Sequence, residues 1–211
     1  TSMNAHAPGR WLVAEHAHDF TADLDSQGWH GSMNYLGVGR PIAAWLGRGN
    51  DLDGIGEAPR RVPHRSGVAM AATMDEVRAE APWWAIQGSL TLLGSHDTAR
   101  WKTVADNADA ARVGVGLLLT LPGSPCVFYG DEIGLEGDDG DEARQPMPWS
   151  GAGWDTAMLD WYRSCIAMRR DSDEPGLPGF FGFEHRLHQW LESGHLWAVT
   201  AVKIEDIHVV G

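Results

Sequence analysis

The sequence predicts an α/β protein in which short parallel strands carry polar residues at one end, as in part of a (β/α)8 barrel. Three stretches make the prediction. In Ser89 to Thr98 an apolar run with a β-branched residue is closed by Gly94 and followed at once by His96 and Asp97. A strand buried on both faces has no use for those two polar groups, but past the C-terminal end of a barrel strand they stand where such folds hold their active sites. The pattern returns in Cys126 to Tyr129, closed by Gly130 and followed by Asp131 and Glu132, and a third copy runs from Arg10 through Ala14 into Glu15. Parallel strands put their C-terminal ends on one face, so Glu15, Asp97 and Asp131 should share a rim.

In chain order, Glu15 leads into His16-Ala17-His18-Asp19 and a loop from Asp23 to Gly31, and Ser32 to Tyr35 is a short strand candidate. Pro41 opens a helix to Leu46, since proline suits a first turn whose N–H groups lack partners anyway. Gly47 to Arg65, rich in Gly, Pro and charge, reads as a long surface loop. From Val68 to Arg78, Met70, Met74 and Val77 fall at helical spacing. Asp106 and Asn107 can cap a helix through Ala111, Val115, Leu118 and Leu119, stopped by Pro122-Gly123. Leu135 to Trp149 shows no period. Thr156 is placed to cap a helix whose Leu159, Tyr162 and Ile166 share a face, with Arg169 and Arg170 against its C-terminal dipole. Beyond Asp171, prolines and glycines break the chain before two strand-like runs, Leu196 to Val202 and Ile204 to Val210. The expected division is therefore 1–170, a half-barrel, and 171–211, a linker with an incomplete β-rich segment.

Composition narrows the functional classes. Sixteen Lys and Arg against 29 Asp and Glu give a net charge of −13, which disfavours nucleic acid and anionic membranes, both of which require a basic face. With 211 residues the chain is shorter than the about 250 of a complete barrel. No apolar run is long enough to span a membrane. The start lacks a secretory signal and opens almost directly on a core strand, so a truncated N-terminus and a cytoplasmic location are the expectations. Cys126 and Cys165 read as small hydrophobes in a strand and a helix. Of the 11 tryptophans, Trp11, Trp45, Trp161 and Trp197 fall in apolar patterns and are expected in cores, whereas Trp29, Trp83, Trp84, Trp101, Trp149 and Trp154 are expected on loops. Flat aromatic faces on loops suit the C–H faces of sugar rings.

Several ordered motifs now bear on chemistry. Trp11-Leu12-Val13-Ala14-Glu15, Met33-Asn34-Tyr35, Leu92-Leu93-Gly94-Ser95-His96-Asp97, Tyr129-Gly130-Asp131-Glu132-Ile133-Gly134 and Arg144-x-Pro146-Met147-x-Trp149 occur in that order. Together they resemble the fifth to eighth strands of the α-amylase superfamily, glycoside hydrolase family 13, in its neopullulanase, cyclomaltodextrinase and α-glucosidase-like members. The resemblance covers about Trp11 to Arg170. It departs from the family at Ala14, where glycine is usual, and at Gly140, where an aspartate often stands four residues before the arginine. No Gly-Phe-Arg-x-Asp motif, which carries the family's nucleophile, occurs in the sequence, and strands one to three have no counterpart.

The resemblance implies a retaining hydrolase of α-1,4-glucans or maltooligosaccharides, with Glu15 and Asp97 catalytic, His96 and Arg144 binding substrate, and no cofactor required. Structural calcium in an intact parent is left open. Glu15 would be the acid/base, suited to it if Trp11 and Val13 wall it from water. Asp97 would steady the developing positive charge, or else cap the following turn. Asp131 and Glu132 would touch substrate, pair with arginine, or cap a loop. Arg144 would contact a sugar or serve in an ion pair. Alternatives from other classes are a non-catalytic amylase-like barrel used for binding or assembly, and a metal-dependent amidohydrolase-type barrel. In the last, His16 and His18 would hold zinc with Asp131. Open edges beside the strands ending at Glu15 and Tyr129 predict self-association.

Overall fold

Four short strands, all parallel, frame the chain in the computed structural model, which describes residues 11–16, 18–24, 28–49, 63–138 and 140–171. β1 (Val13–Ala14) pairs with β2 (Gly31–Ser32), Val13 opposite Gly31; β3 (Leu90–Thr91) pairs with β4 (Ser124–Pro125), Leu90 opposite Ser124. A parallel bridge between Met33 and Leu90 joins the pairs, and the Asn34 N–H donates to the Leu90 carbonyl at 2.9 Å. The spatial order is thus β1-β2-β3-β4, the order of the sequence, as in the wall of a β/α barrel. Among the described residues β1 and β4 are each paired on one side only.

The strands are shorter than their apolar runs. The stretch from Cys126 to Tyr129 is not a strand: pairing begins two residues earlier, and only the Cys126 N–H still reaches β3, at the Thr91 carbonyl, 2.8 Å away. Likewise Ser32 to Tyr35 does not extend as a strand. After the Met33 bridge the chain turns into a π-helix, Tyr35–Gly39, whose Gly37 N–H is capped by the Asn34 side chain at 2.8 Å. The π-helix runs directly into α1 (Arg40–Leu46), with Pro41 in its first turn as expected.

α2 (Gly67–Ala79) starts on Ser66, whose Oγ accepts from the Ala69 N–H, and buries Met70 and Met74. α3 (Trp83–Gly88) had no period to reveal it. Its last residue crosses β2 so closely that a Cβ on Gly31 would lie 2.2 Å from the Gly88 carbonyl oxygen, so both positions need glycine. α4 (Trp101–Val104) is one turn, and it places Trp101 in the core at 2% exposure rather than on a loop. The indole donates to the Ala111 carbonyl at 2.9 Å and lies flush on Gly114, where a Cβ would meet Trp101 Cζ2 at 2.2 Å.

α5 (Ala108–Thr120) is the helix anticipated after β3. Asn107 caps it, taking the N–H groups of Asp109 and Ala110, and Ala111, Val115, Leu118 and Leu119 are buried. A one-turn helix, α6 (Gly140–Ala143), interrupts the otherwise irregular segment before Trp149. α7 (Thr156–Asp171) differs from expectation by one residue. Asp155 caps it, accepting from the Met158 N–H at 3.0 Å, and the buried face is Met158, Tyr162 and Cys165, leaving Ile166 47% exposed. Arg169 anchors the end of this helix by donating to the carbonyls of Leu119, Leu121 and Gly123. That satisfies acceptors left over at the C-terminus of α5. The apolar core lies between α1, α2, α5 and α7 and includes Ile42, Met70, Leu93, Trp101, Val104, Val115 and Leu118. Cys165 is within it, its thiol pushed up to about 12 by burial; Cys126 is half-buried and also free.

Trp11 departs from its expected core position, standing 51% exposed on β1's lead-in. Trp45 and Trp161 are half-buried, and Trp29, Trp83, Trp84 and Trp149 are exposed. No helix among the described residues is long and apolar enough to cross a membrane. Trp197, the strand-like runs after Leu196 and most of the expected loop from Gly47 to Arg65 lie outside the described residues.

Candidate active site

Because the strands are parallel, the residues following β1 and β3 emerge on one rim. Glu15, His96 and Asp97 meet there, with their ligand atoms all within 4.8 Å of one another. His96 Nε2 lies 3.8 Å from Glu15 Oε1 and 3.3 Å from Asp97 Oδ2. Arg144, carried in by the segment after α6, completes the group: its Nε donates to the His96 carbonyl at 2.7 Å and its Nη2 to Asp97 Oδ1 at 3.1 Å. Arg144 therefore holds one Asp97 oxygen, and the His96 ring stands beside the other. Its carboxylate is spent on these side chains rather than on capping the following turn. That turn is closed by Thr98, whose Oγ1 accepts from the Ser95 N–H at 2.8 Å.

The two carboxylates differ in surroundings. The side chain of Asp97 is 22% exposed and that of Glu15 is 64% exposed. With Trp11 also half exposed, the described residues do not wall Glu15 from water as the sequence suggested.

Asp131 does not join this group. It is buried, with Arg100 Nη1 at 3.1 Å from its Oδ1, which makes it an arginine partner. Burial raises its pKa to about 7, outweighing the lowering effect of Arg100. Arg100 is itself 1% exposed; it donates to the Tyr129 carbonyl and lies over the rings of Phe128 and Tyr129, 4.1 and 4.8 Å from their centroids. Its backbone N–H reaches the Gly137 carbonyl, so one residue ties the loop after β3 to the segment that delivers Arg144. Glu132 turns back to accept from the Gly130 N–H at 2.7 Å.

The zinc arrangement does not form. His16 and His18 stack edge to face at 5.9 Å, and His16 pairs loosely with Asp23 at 3.9 Å. Asp131, the carboxylate that reading requires, is committed to Arg100. The one grouping of potential metal ligands among the described residues is Glu15, His96 and Asp97, and there Arg144 already occupies Asp97 with a positive charge.

Sequence reasoning missed Arg100 and Ser95. An arginine beside Trp101 reads as a surface charge, and its partner is 31 residues away. A signal for Ser95 was present in its spacing from Thr98, a serine–threonine turn pattern.

Residues 67–169 match the family model of the alpha amylase catalytic domain. Over these residues the chain is similar to the α-amylase family. The cyclomaltodextrinase of Thermoanaerobacter pseudethanolicus is 36% identical to this chain over 85 residues, 39% of the chain and 15% of that protein. Among solved structures, the acarbose-soaked debranching enzyme of Nostoc punctiforme superposes with a TM-score of 0.69 at 32% identity, over 83% of this chain and 36% of that one. A cyclic alpha-maltosyl-(1→6)-maltose hydrolase from Arthrobacter globiformis, in complex with that sugar, gives 0.67 at 32% identity over 82% of this chain and 35% of that one. The family fold is the (β/α)8 barrel, and this chain spans about a third of the length of these structural relatives.

Proposed function

We propose that this chain supplies the acid/base side of the active site of a retaining α-glucan hydrolase, as strands five to eight of a (β/α)8 barrel. The observation that carries the reading is the convergence of Glu15, His96 and Asp97 within 4.8 Å past the C-terminal ends of β1 and β3, parallel strands on either side of β2. The substrate class, α-1,4-linked glucans or maltooligosaccharides, is supported by the cyclic maltosyl compounds named with the relatives.

Glu15 in its acid form would protonate the glycosidic oxygen as it leaves, then deprotonate the water that releases the sugar. Its open position puts its carboxyl in reach of a substrate from solvent, and the bound sugar would supply the desolvation that the protein does not. Asp97, fixed by Arg144 and His96, would accept hydrogen bonds from ring hydroxyls and stabilise the charge that grows at the anomeric centre. His96 and the remaining Arg144 donors would hold hydroxyls of the same sugar. The attacking carboxylate is assigned to a strand outside this sequence, which holds no Gly-Phe-Arg-x-Asp motif.

A non-catalytic relative used for binding or assembly is the second reading, favoured by that same missing motif. The test is incubation with maltodextrin of a protein joining this chain to strands one to four, with and without chelator, following new reducing ends. Chelator-resistant hydrolysis supports the proposal, and no hydrolysis in either arm favours the binding reading.

A further inference from the structure

One motif has no part in the chemistry above: Met33-Asn34-Tyr35, at the end of β2. Tyr35 is 6% exposed and opens the π-helix. Such a helix is rare and recurs at functional sites. Here it turns the Tyr35 ring from β2 towards the loop after β3, where the hydroxyl donates to Ser95 Oγ at 2.7 Å. Ser95 Oγ also accepts the Asp97 backbone N–H at 3.0 Å. One serine oxygen thus joins the neighbouring strand to the amide of Asp97, and Ser95 is itself 6% exposed. Burial and the nearby Asp97 and Glu15 carboxylates raise the Tyr35 pKa, which keeps the phenol a donor.

We propose that Tyr35 is a positioning residue that fixes the His96–Asp97 turn through the Ser95 hydroxyl, and so sets where the Asp97 carboxylate meets the sugar. The turn's own bond, from the Ser95 N–H to Thr98, holds its shape but not its placement against β2. The Tyr35 hydroxyl supplies that placement, since it comes from a different strand. The effect on turnover rests on the reading of Asp97 as a transition-state group, whereas the effect on the turn does not.

The test has two arms. In the 211-residue chain, hydrogen exchange at the Asp97 amide is compared for wild type, Tyr35→Phe, Ser95→Ala and Ser95→Thr. Loss of a single buried hydrogen bond predicts about three- to tenfold faster exchange in Tyr35→Phe and Ser95→Ala, and near wild-type exchange in Ser95→Thr. Amides of α5 and α7 should stay unchanged, which a general loss of stability would not allow. In the barrel-complete protein, Tyr35→Phe should lower kcat by a similar factor with KM within about twofold. Unchanged Asp97 exchange in Tyr35→Phe, or uniform acceleration across the chain, overturns the proposal. Faster Asp97 exchange in a barrel-complete protein that shows no turnover at all would instead keep the positioning role and sink the hydrolase reading.

Discussion

Replacing Arg100 by methionine removes a buried charge while keeping an unbranched apolar stem. The structure gives the cost in two parts. The Tyr129 carbonyl loses its donor, and the Asp131 carboxyl loses the guanidinium 3.1 Å away while remaining 7% exposed. Breaking a buried ion pair from one side costs about 3–5 kcal/mol, because the remaining charge has no partner. Asp131 can escape part of that cost by taking up a proton. Its folded pKa, raised to about 7, already exceeds its ordinary 3.8, so its contribution to stability is full below about 4 and is lost as pH rises towards 7. Arg100 is what holds that value down, so in the variant it moves higher and the loss continues above pH 7. The gap between wild type and Arg100→Met should therefore widen with pH, by roughly 1.4 kcal/mol for each unit the Asp131 pKa moves. Urea unfolding followed by tryptophan fluorescence at pH 5.5, 7 and 8.5 measures it. A destabilisation equal at all three values, or below about 1 kcal/mol throughout, would show that the pair is not what holds the two loops together.

Other outcomes follow from the packing and the site. Gly114→Ala drives a methyl into the Trp101 ring and should cost about 1–3 kcal/mol by overpacking, read from the urea midpoint. Asp97→Asn in a barrel-complete protein should depress kcat strongly and affinity for unreacted substrate less; weak binding with normal turnover at saturation would reduce Asp97 to a binding residue. The 211-residue chain alone, whose β1 and β4 are paired on one side only among the described residues, should self-associate in light scattering and release no reducing ends from maltooligosaccharides. Hydrolysis by a monodisperse monomer would refute this.

Local signals were the legible ones. Asn107 before an apolar period and Pro122-Gly123 after it define α5, because caps and breakers act within a few residues. The polar groups past the ends of β1 and β3 also announced themselves, since nothing in a buried strand accounts for Glu15, His96 or Asp97. What failed depended on distant partners. The apolar run at Cys126 pairs only where β3 lies opposite, so β4 sits earlier than the run suggests. Trp11 looks like core in its own segment, yet the described residues leave it exposed; Trp101 looks like loop, but Gly114 offers it a flat seat. Arg100 with Asp131, and Tyr35 with Ser95, are contacts across strands that no spacing along the chain encodes.

The central claim is that Glu15 is the proton donor at this rim. Glu15→Gln removes the acidic proton while keeping the shape of the side chain, so it separates chemistry from binding. In the barrel-complete protein, reducing-end release from maltooligosaccharides at saturating substrate should fall by at least about a hundredfold with binding retained, the usual worth of a general acid. A fall of less than about tenfold would mean that another group protonates the leaving oxygen, and that the convergence of Glu15 with His96 and Asp97 is not the catalytic one.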